Sequence, residues 1–196
     1  MKAWTSSLFP FLATAVVTCG LSVPTAVAND KVELVVGDGK VTVKLGGQLF
    51  TEYVFKGHSK PILYPVLGPG GQAMTRNYPM KDDVDNEALD HPHQKSIWFT
   101  HGDVNGSDFW LEYTSPTAKK QPGQIVQTSL RVEGDTILTE NDWNAPDGKL
   151  LCTDQRAIRF GTTKSGRFID YQVTFHASAG DVTFGDTKEG MMGIRT

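Results

Sequence analysis

The chain has 196 residues, a formal net charge of -3, and a hydrophobic fraction of 39%. That length fits a single folded domain. Its basic residues are scattered, with only Lys119-Lys120 adjacent, which argues against the clustered basic face of a nucleic-acid binder.

The N-terminus has the three parts of a secretory signal peptide: Met1-Lys2, an apolar run from Leu8 to Val23, and a small-x-small site at Ala26-Val27-Ala28. Cleavage is expected after Ala28, leaving a secreted or periplasmic domain over 29–196. Pro10, Thr14, Thr18, Gly20 and Ser22 interrupt a run already short for a bilayer span. A lipoprotein would use Cys19, but Val17-Thr18 fits that signal poorly. No later segment is apolar enough to cross a membrane. Loss of the leader leaves Cys152 alone, unable to form an intramolecular disulfide. Its apolar context, Leu150-Leu151-Cys152-Thr153, predicts a buried and unreactive thiol.

The remaining pattern is all-β. Lys31–Val36 and Lys40–Leu45 alternate around Gly37-Asp38-Gly39, a hairpin signal. Further strands are predicted over Gln48–Phe55, Pro61–Leu67, Ser96–Thr100 and Ser107–Tyr113, which are rich in β-branched and aromatic residues. Gln124–Val132 and Thr136–Asn144 flank the turn Glu133-Gly134-Asp135. Leu150–Phe160 and Arg167–Ala177 flank 161–166, and Val182–Gly185 ends the run. Strands at this spacing, without helical periodicity, predict an antiparallel β-sandwich or barrel. The irregular stretch from Gly68 to Pro92 is long enough to expect a functional role or a lid. Its acidic run, Asp82-Asp83-Val84-Asp85, reads as solvated surface. The chain stops at Met191-Met192-Gly193-Ile194-Arg195-Thr196, in what looks like a strand, and this predicts an unpaired sheet edge.

Chemistry concentrates between Asp90 and Trp110, where three of the five histidines fall beside three aspartates and two tryptophans. His91 and His93 are two apart, so an extended backbone would point both imidazoles to one side. His101 follows the Ser96–Thr100 strand and could return toward them. Two chemistries are open. A His-x-His pair with a third His and a carboxylate could hold a transition metal. Alternatively, a histidine oriented by Asp90, Asp103 or Asp108 could transfer protons near neutral pH, with Glu189 as a more distant carboxylate. Trp110 could offer a stacking face to a carbohydrate, whereas Trp98 is expected in the core. The stretch Gly102-Asp103-Val104-Asn105-Gly106 has turn composition. Arg76 and Tyr78, in the long loop, are candidates for binding a substrate hydroxyl or carboxylate. His58 lies in a polar turn and reads as solvated. There is no phosphate-binding Gly loop, Gly-x-Ser-x-Gly elbow, CxxC or HExxH, which removes kinase, lipase-type and zincin readings and leaves no cofactor specified.

The motifs Tyr64-Pro65-Val66-Leu67-Gly68-Pro69-Gly70-Gly71, Thr75-Arg76-Asn77-Tyr78-Pro79, Asp90-His91-Pro92-His93-Gln94-Lys95-Ser96-Ile97-Trp98-Phe99, His101-Gly102-Asp103-Val104-Asn105-Gly106 and Gly185-Asp186-Thr187-Lys188-Glu189-Gly190 occur in that order. With Gly193-Ile194-Arg195 they resemble the bacterial family labelled "methane oxygenase PmoA". Gln94 departs from the pattern, where a second basic residue is expected. The family domain continues past Gly193-Ile194-Arg195, so the resemblance implies a truncated member. It does not imply a membrane methane monooxygenase subunit, which is polytopic. It implies a secreted β-sandwich similar to part of the sugar-binding supersandwich of mutarotases, where a His acid and a carboxylate base act on a sugar ring. By that analogy His93 and His101 would be the acids, Glu189 the base, and Asp103 part of the polar cluster. His91, Asn105, Trp110, Arg76 and Tyr78 would contact a carbohydrate or another small-molecule ligand.

Overall fold

Tight turns set the strand order. Gly37 pairs with Lys40 across Asp38-Gly39, and Leu45 pairs with Gln48 across Gly46-Gly47. Gly46 and Gly47 both have positive φ (57° and 77°), as the commonest two-residue hairpin turn requires. Glu133 pairs with Thr136 across Gly134-Asp135 in the same way.

The computed structural model describes residues 30–112 and 121–196, which form ten strands and no helix. The signal peptide expected over 1–28, Cys19, and the Lys119-Lys120 pair lie outside the described residues. The strands are β1 (Val32–Gly37), β2 (Lys40–Leu45), β3 (Gln48–Val54), β4 (Ile62–Val66), β5 (Ile97–Phe99), β6 (Gln124–Glu133), β7 (Thr136–Asn144), β8 (Leu150–Thr163), β9 (Gly166–His176) and β10 (Met192–Ile194). They build two antiparallel sheets, one in the order β1-β2-β3-β4-β5-β10 and one in the order β6-β7-β8-β9. Among the described residues no helix is long and apolar enough to cross a membrane.

Alternation along the strands creates the inner faces. Val41, Val43 and Leu45 of β2, with Phe50 and Tyr53 of β3, pack against Ile137 of β7 and Ile158 and Phe160 of β8. This shared cluster makes the two sheets a sandwich, the architecture expected from the sequence. A second cluster joins Val104 and Phe109 to Ile125, Trp143, Leu151 and Cys152, so the chemistry-rich window is anchored to the four-stranded sheet. Each large side chain buried this way stabilises the fold by about 1.5–3 kcal/mol. Trp98 and Cys152 are buried, as expected.

The inner face of β7 and β8 also carries a fully buried ion pair. Arg156 Nη2 donates to Asp154 Oδ2 at 2.7 Å. The same carboxylate accepts from Asn141 Nδ2 at 2.6 Å and Trp143 Nε1 at 2.7 Å, while Arg156 Nη1 donates to Tyr171 Oη at 3.0 Å. Such a pair holds only while its remaining polar atoms are satisfied.

Two predicted strands are corrected. The strand expected over Ser107–Tyr113 does not form in its described part, 107–112, because Asp108 Oδ1 accepts from the backbone N–H of Trp110 (2.7 Å) and Leu111 (3.1 Å) and takes donors a ladder would need. Val182–Gly185 contributes only an isolated bridge, Val104 to Phe184. The closing strand β10 pairs with β5 and forms one edge of the six-stranded sheet. Gly193 of β10 lies against the Trp98 ring so closely that a Cβ there would collide with it.

Candidate functional site

The long loop before β5 is pinned by its own side chains. The Glu87 carboxylate accepts from the backbone N–H groups of Asn77 (2.9 and 2.8 Å) and Tyr78 (2.8 Å) and from Asn77 Nδ2 (2.9 Å). Those bonds hold it below the usual carboxylate range against a desolvation that raises it. Arg76, buried, uses its guanidinium on the same loop: on Tyr78 O, Ala88 O, Asp90 O, His91 O and Asp90 Oδ1. Asp82, Asp83 and Asp85 are exposed, as the sequence implies.

This loop delivers His91 and His93 to a cavity of about 290 Å³. Asp108, Trp110 and Leu111 line it from the segment after β5, and Thr187, Lys188 and Glu189 from the segment before β10. The His91 and His93 rings lie edge-on, 5.7 Å apart. His93 is half-buried, and burial first, then the charges of Lys60 and His91, lower its pKa from 6.5, favouring the neutral imidazole. Trp110 is braced edge-on by Trp98 at 5.4 Å. Glu189 pairs with the exposed Lys188 at 3.3 Å.

Of the sequence candidates, His91, His93, Asp108, Trp110 and Glu189 meet at this cavity and Asp90 contacts His91 beside it, while His101, Asp103, Asn105, Arg76 and Tyr78 do not line it. His101 Nε2 donates to Gly185 O at 2.9 Å, since a carbonyl can only accept. Its buried Nδ1 has no partner. Asp103 Oδ1 accepts from Gly106 N at 2.8 Å. Asn105 Nδ2 donates to Asp181 O, and its Oδ1 accepts from Thr183 N. His101 and Asn105 tie this stretch to the chain before β10, while Asp103 closes the turn at 102–106 on itself. Tyr78 packs against the Arg76 guanidinium.

Sequence reading missed a buried charge cluster beside the cavity. Lys60 Nζ donates to Trp110 O at 3.0 Å and lies 3.3 Å from Glu112 Oε1. Lys95 Nζ lies 3.4 Å from Glu112 Oε2. The side chains of Lys60, Lys95 and Glu112 are 0%, 8% and 4% exposed. Desolvation lowers the Lys60 pKa, opposed by Glu112; the Glu112 pKa is also lowered, by Lys60 and Lys95, despite its burial. His58, expected to be solvated, accepts a hydrogen bond from Lys95 Nζ at 2.9 Å through Nδ1. Burial and the Lys95 charge push it down to about 4. These partners are 37 and 52 positions apart in sequence, so no local pattern announces them.

Of the residues lining the cavity, His91 has a φ of 48°, a left-handed region that costs a non-glycine residue about 1–3 kcal/mol. Among the described residues, no group of three His, Cys, Asp or Glu side chains is placed to hold a metal ion.

A model of the family of unknown function DUF6807 matches residues 40–196. The chain belongs to that family. The DUF6807 match spans β2 to β10 and so takes in every strand but β1 and every residue lining the cavity. It carries no activity and nothing that ties the chain to the methane-oxygenase label. No curated protein and no solved structure matches the chain.

Proposed function

We propose that this DUF6807 domain binds a carbohydrate, or a similar polyhydroxylated small molecule, in the cavity at His91 and His93. One observation carries the reading. Two imidazoles, the carboxylates of Asp108 and Glu189 and the indole of Trp110 surround a single cavity of about 290 Å³. Ligand pockets run from about 300 to 1,000 Å³, so this one suits a single sugar ring rather than a chain. Hydroxyl groups need closely spaced donors and acceptors, and imidazoles and carboxylates together supply both. The metal-dependent alternative finds less support, because His101 is bonded to Gly185 rather than turned to the pair. The signal-peptide pattern at 1–28 supports a role outside the cytoplasm.

Thermal denaturation in the presence of neutral monosaccharides, sugar acids and sugar alcohols tests this. At least one is expected to raise the melting temperature of the wild type and to do so less for His93→Ala. If no compound in the three classes protects the wild type, the reading is wrong.

A further inference from the structure

We propose that Asp90 is a positioning residue that fixes the His91 imidazole with its proton on Nδ1, leaving Nε2 as the proton-accepting atom at the cavity. The role given to Nε2 rests on the reading of that cavity as a ligand site. The two carboxylate oxygens of Asp90 are divided between different partners. Oδ1 accepts from Arg76 Nη1 at 2.7 Å and from Arg195 Nη2 at 2.9 Å. Oδ2 lies 2.8 Å from His91 Nδ1. An ionised carboxylate can only accept, so Nδ1 carries a proton, and in the neutral ring Nε2 then holds the lone pair.

The arrangement is clamped from both sides. Arg76 also holds the backbone carbonyls of Asp90 and His91. Arg195, immediately after β10, donates its backbone N–H to Ser96 O at 2.7 Å, and its carbonyl accepts from Arg76 N at 3.0 Å. The left-handed backbone at His91 (φ 48°) is held in place by these bonds. The two guanidiniums, with the His91 bond, keep Asp90 ionised far below the usual carboxylate range. A neutral imidazole oriented this way can take a proton from a ligand hydroxyl or a water, the O–H electron pair staying on that oxygen as alkoxide or hydroxide. The Asp90 carboxylate stabilises the resulting imidazolium, which returns a proton to that oxygen, either the same one or one exchanged with solvent. His91 is half exposed, which leaves it open to such an exchange.

Two-bond ¹H–¹⁵N spectra of the histidine rings test this on the ligand-free full chain. The wild type is expected to show His91 as the Nδ1–H tautomer. In Asp90→Asn the arginines select the carbonyl oxygen, so the amide NH₂ faces Nδ1, and as a donor it forces the proton to Nε2. The expected result is therefore a switch of His91 to the other tautomer, with the His101 signals unmoved. A purely structural role for Asp90 predicts loss of shift dispersion without a tautomer switch. Nε2–H or mixed tautomers in the wild type overturn the proposal, as does an Asp90→Asn spectrum that keeps Nδ1–H. If Asp90→Asn does not fold, the wild-type spectrum alone decides. Because no sugar is present, failure here is separate from failure of the binding reading.

Discussion

Replacing Glu112 by Gln should expose how much the buried cluster behind the cavity depends on one carboxylate. The substitution keeps size and shape but removes the carboxylate approached by both Lys60 and Lys95, whose side chains are 0% and 8% exposed. Removing one partner of a buried ion pair costs about 3–5 kcal/mol. The lysines can escape by losing a proton, which sets a ceiling. From the ordinary lysine value of 10.5, deprotonation at pH 7 costs about 5 kcal/mol at about 1.4 kcal/mol per unit. A loss of about 3–5 kcal/mol at pH 7 is therefore expected. The sign of the pH effect follows. In the variant a folded-state Lys60 pKa lowered further makes the unfolded chain hold more protons below 10.5, so stability falls as pH falls and recovers as pH rises. Urea unfolding followed by tryptophan fluorescence at pH 7 and pH 9.5 measures both. A loss below about 1 kcal/mol at pH 7, or the same loss at both pH values, would refute the reasoning.

His58, lowered to about 4 from 6.5, is neutral in the fold where the unfolded chain would bind a proton. Its stabilisation is complete above about pH 6.5 and is lost as pH falls toward 4. The shift corresponds to about 3 kcal/mol, reduced to about 1–2 by solvent screening of a partly exposed ring. His58→Gln should remove that slope from the pH–stability curve, and superimposable curves would contradict the assignment. Cys152 is fully buried, and burial with the Asp154 charge pushes its thiol up to about 11. Iodoacetamide at pH 8 should label it only in denaturant, and labelling of the native protein would show that the β8 packing is wrong.

The fold was legible where its physics is local. Asp38-Gly39 and Gly134-Asp135 are turn dipeptides whose glycines take the positive φ the turns need, and the alternation in Lys40–Leu45 and Thr136–Asn144 names the inward faces directly. Ser107–Tyr113 misled because its aromatic content suits a strand, while the Asp108 side chain captures the backbone groups that pairing would use. The site was legible in part. His91, His93 and Trp110 stand out by residue type and proximity in sequence, and Glu189 is named as a distant carboxylate, with the role of base coming from a family resemblance; the cavity holds all four. His101, Asp103 and Asn105 share the same window and residue types, but their hydrogen bonds close a turn and tie it to the chain before β10, and composition cannot separate these uses. Lys60, Lys95, Glu112 and His58 were invisible because only long-range pairing turns a scattered surface-type charge into a buried one.

The central claim is that a polyhydroxylated ligand sits against His91, His93 and Trp110. Titrating sugars into ¹⁵N-labelled protein while recording the histidine ring and tryptophan indole signals tests it most directly. Saturable shifts confined to His91, His93 and Trp110, with His58 and His101 unmoved, are the predicted result. Absence of any saturable shift across the sugar panel, or shifts centred on other residues, would contradict the account.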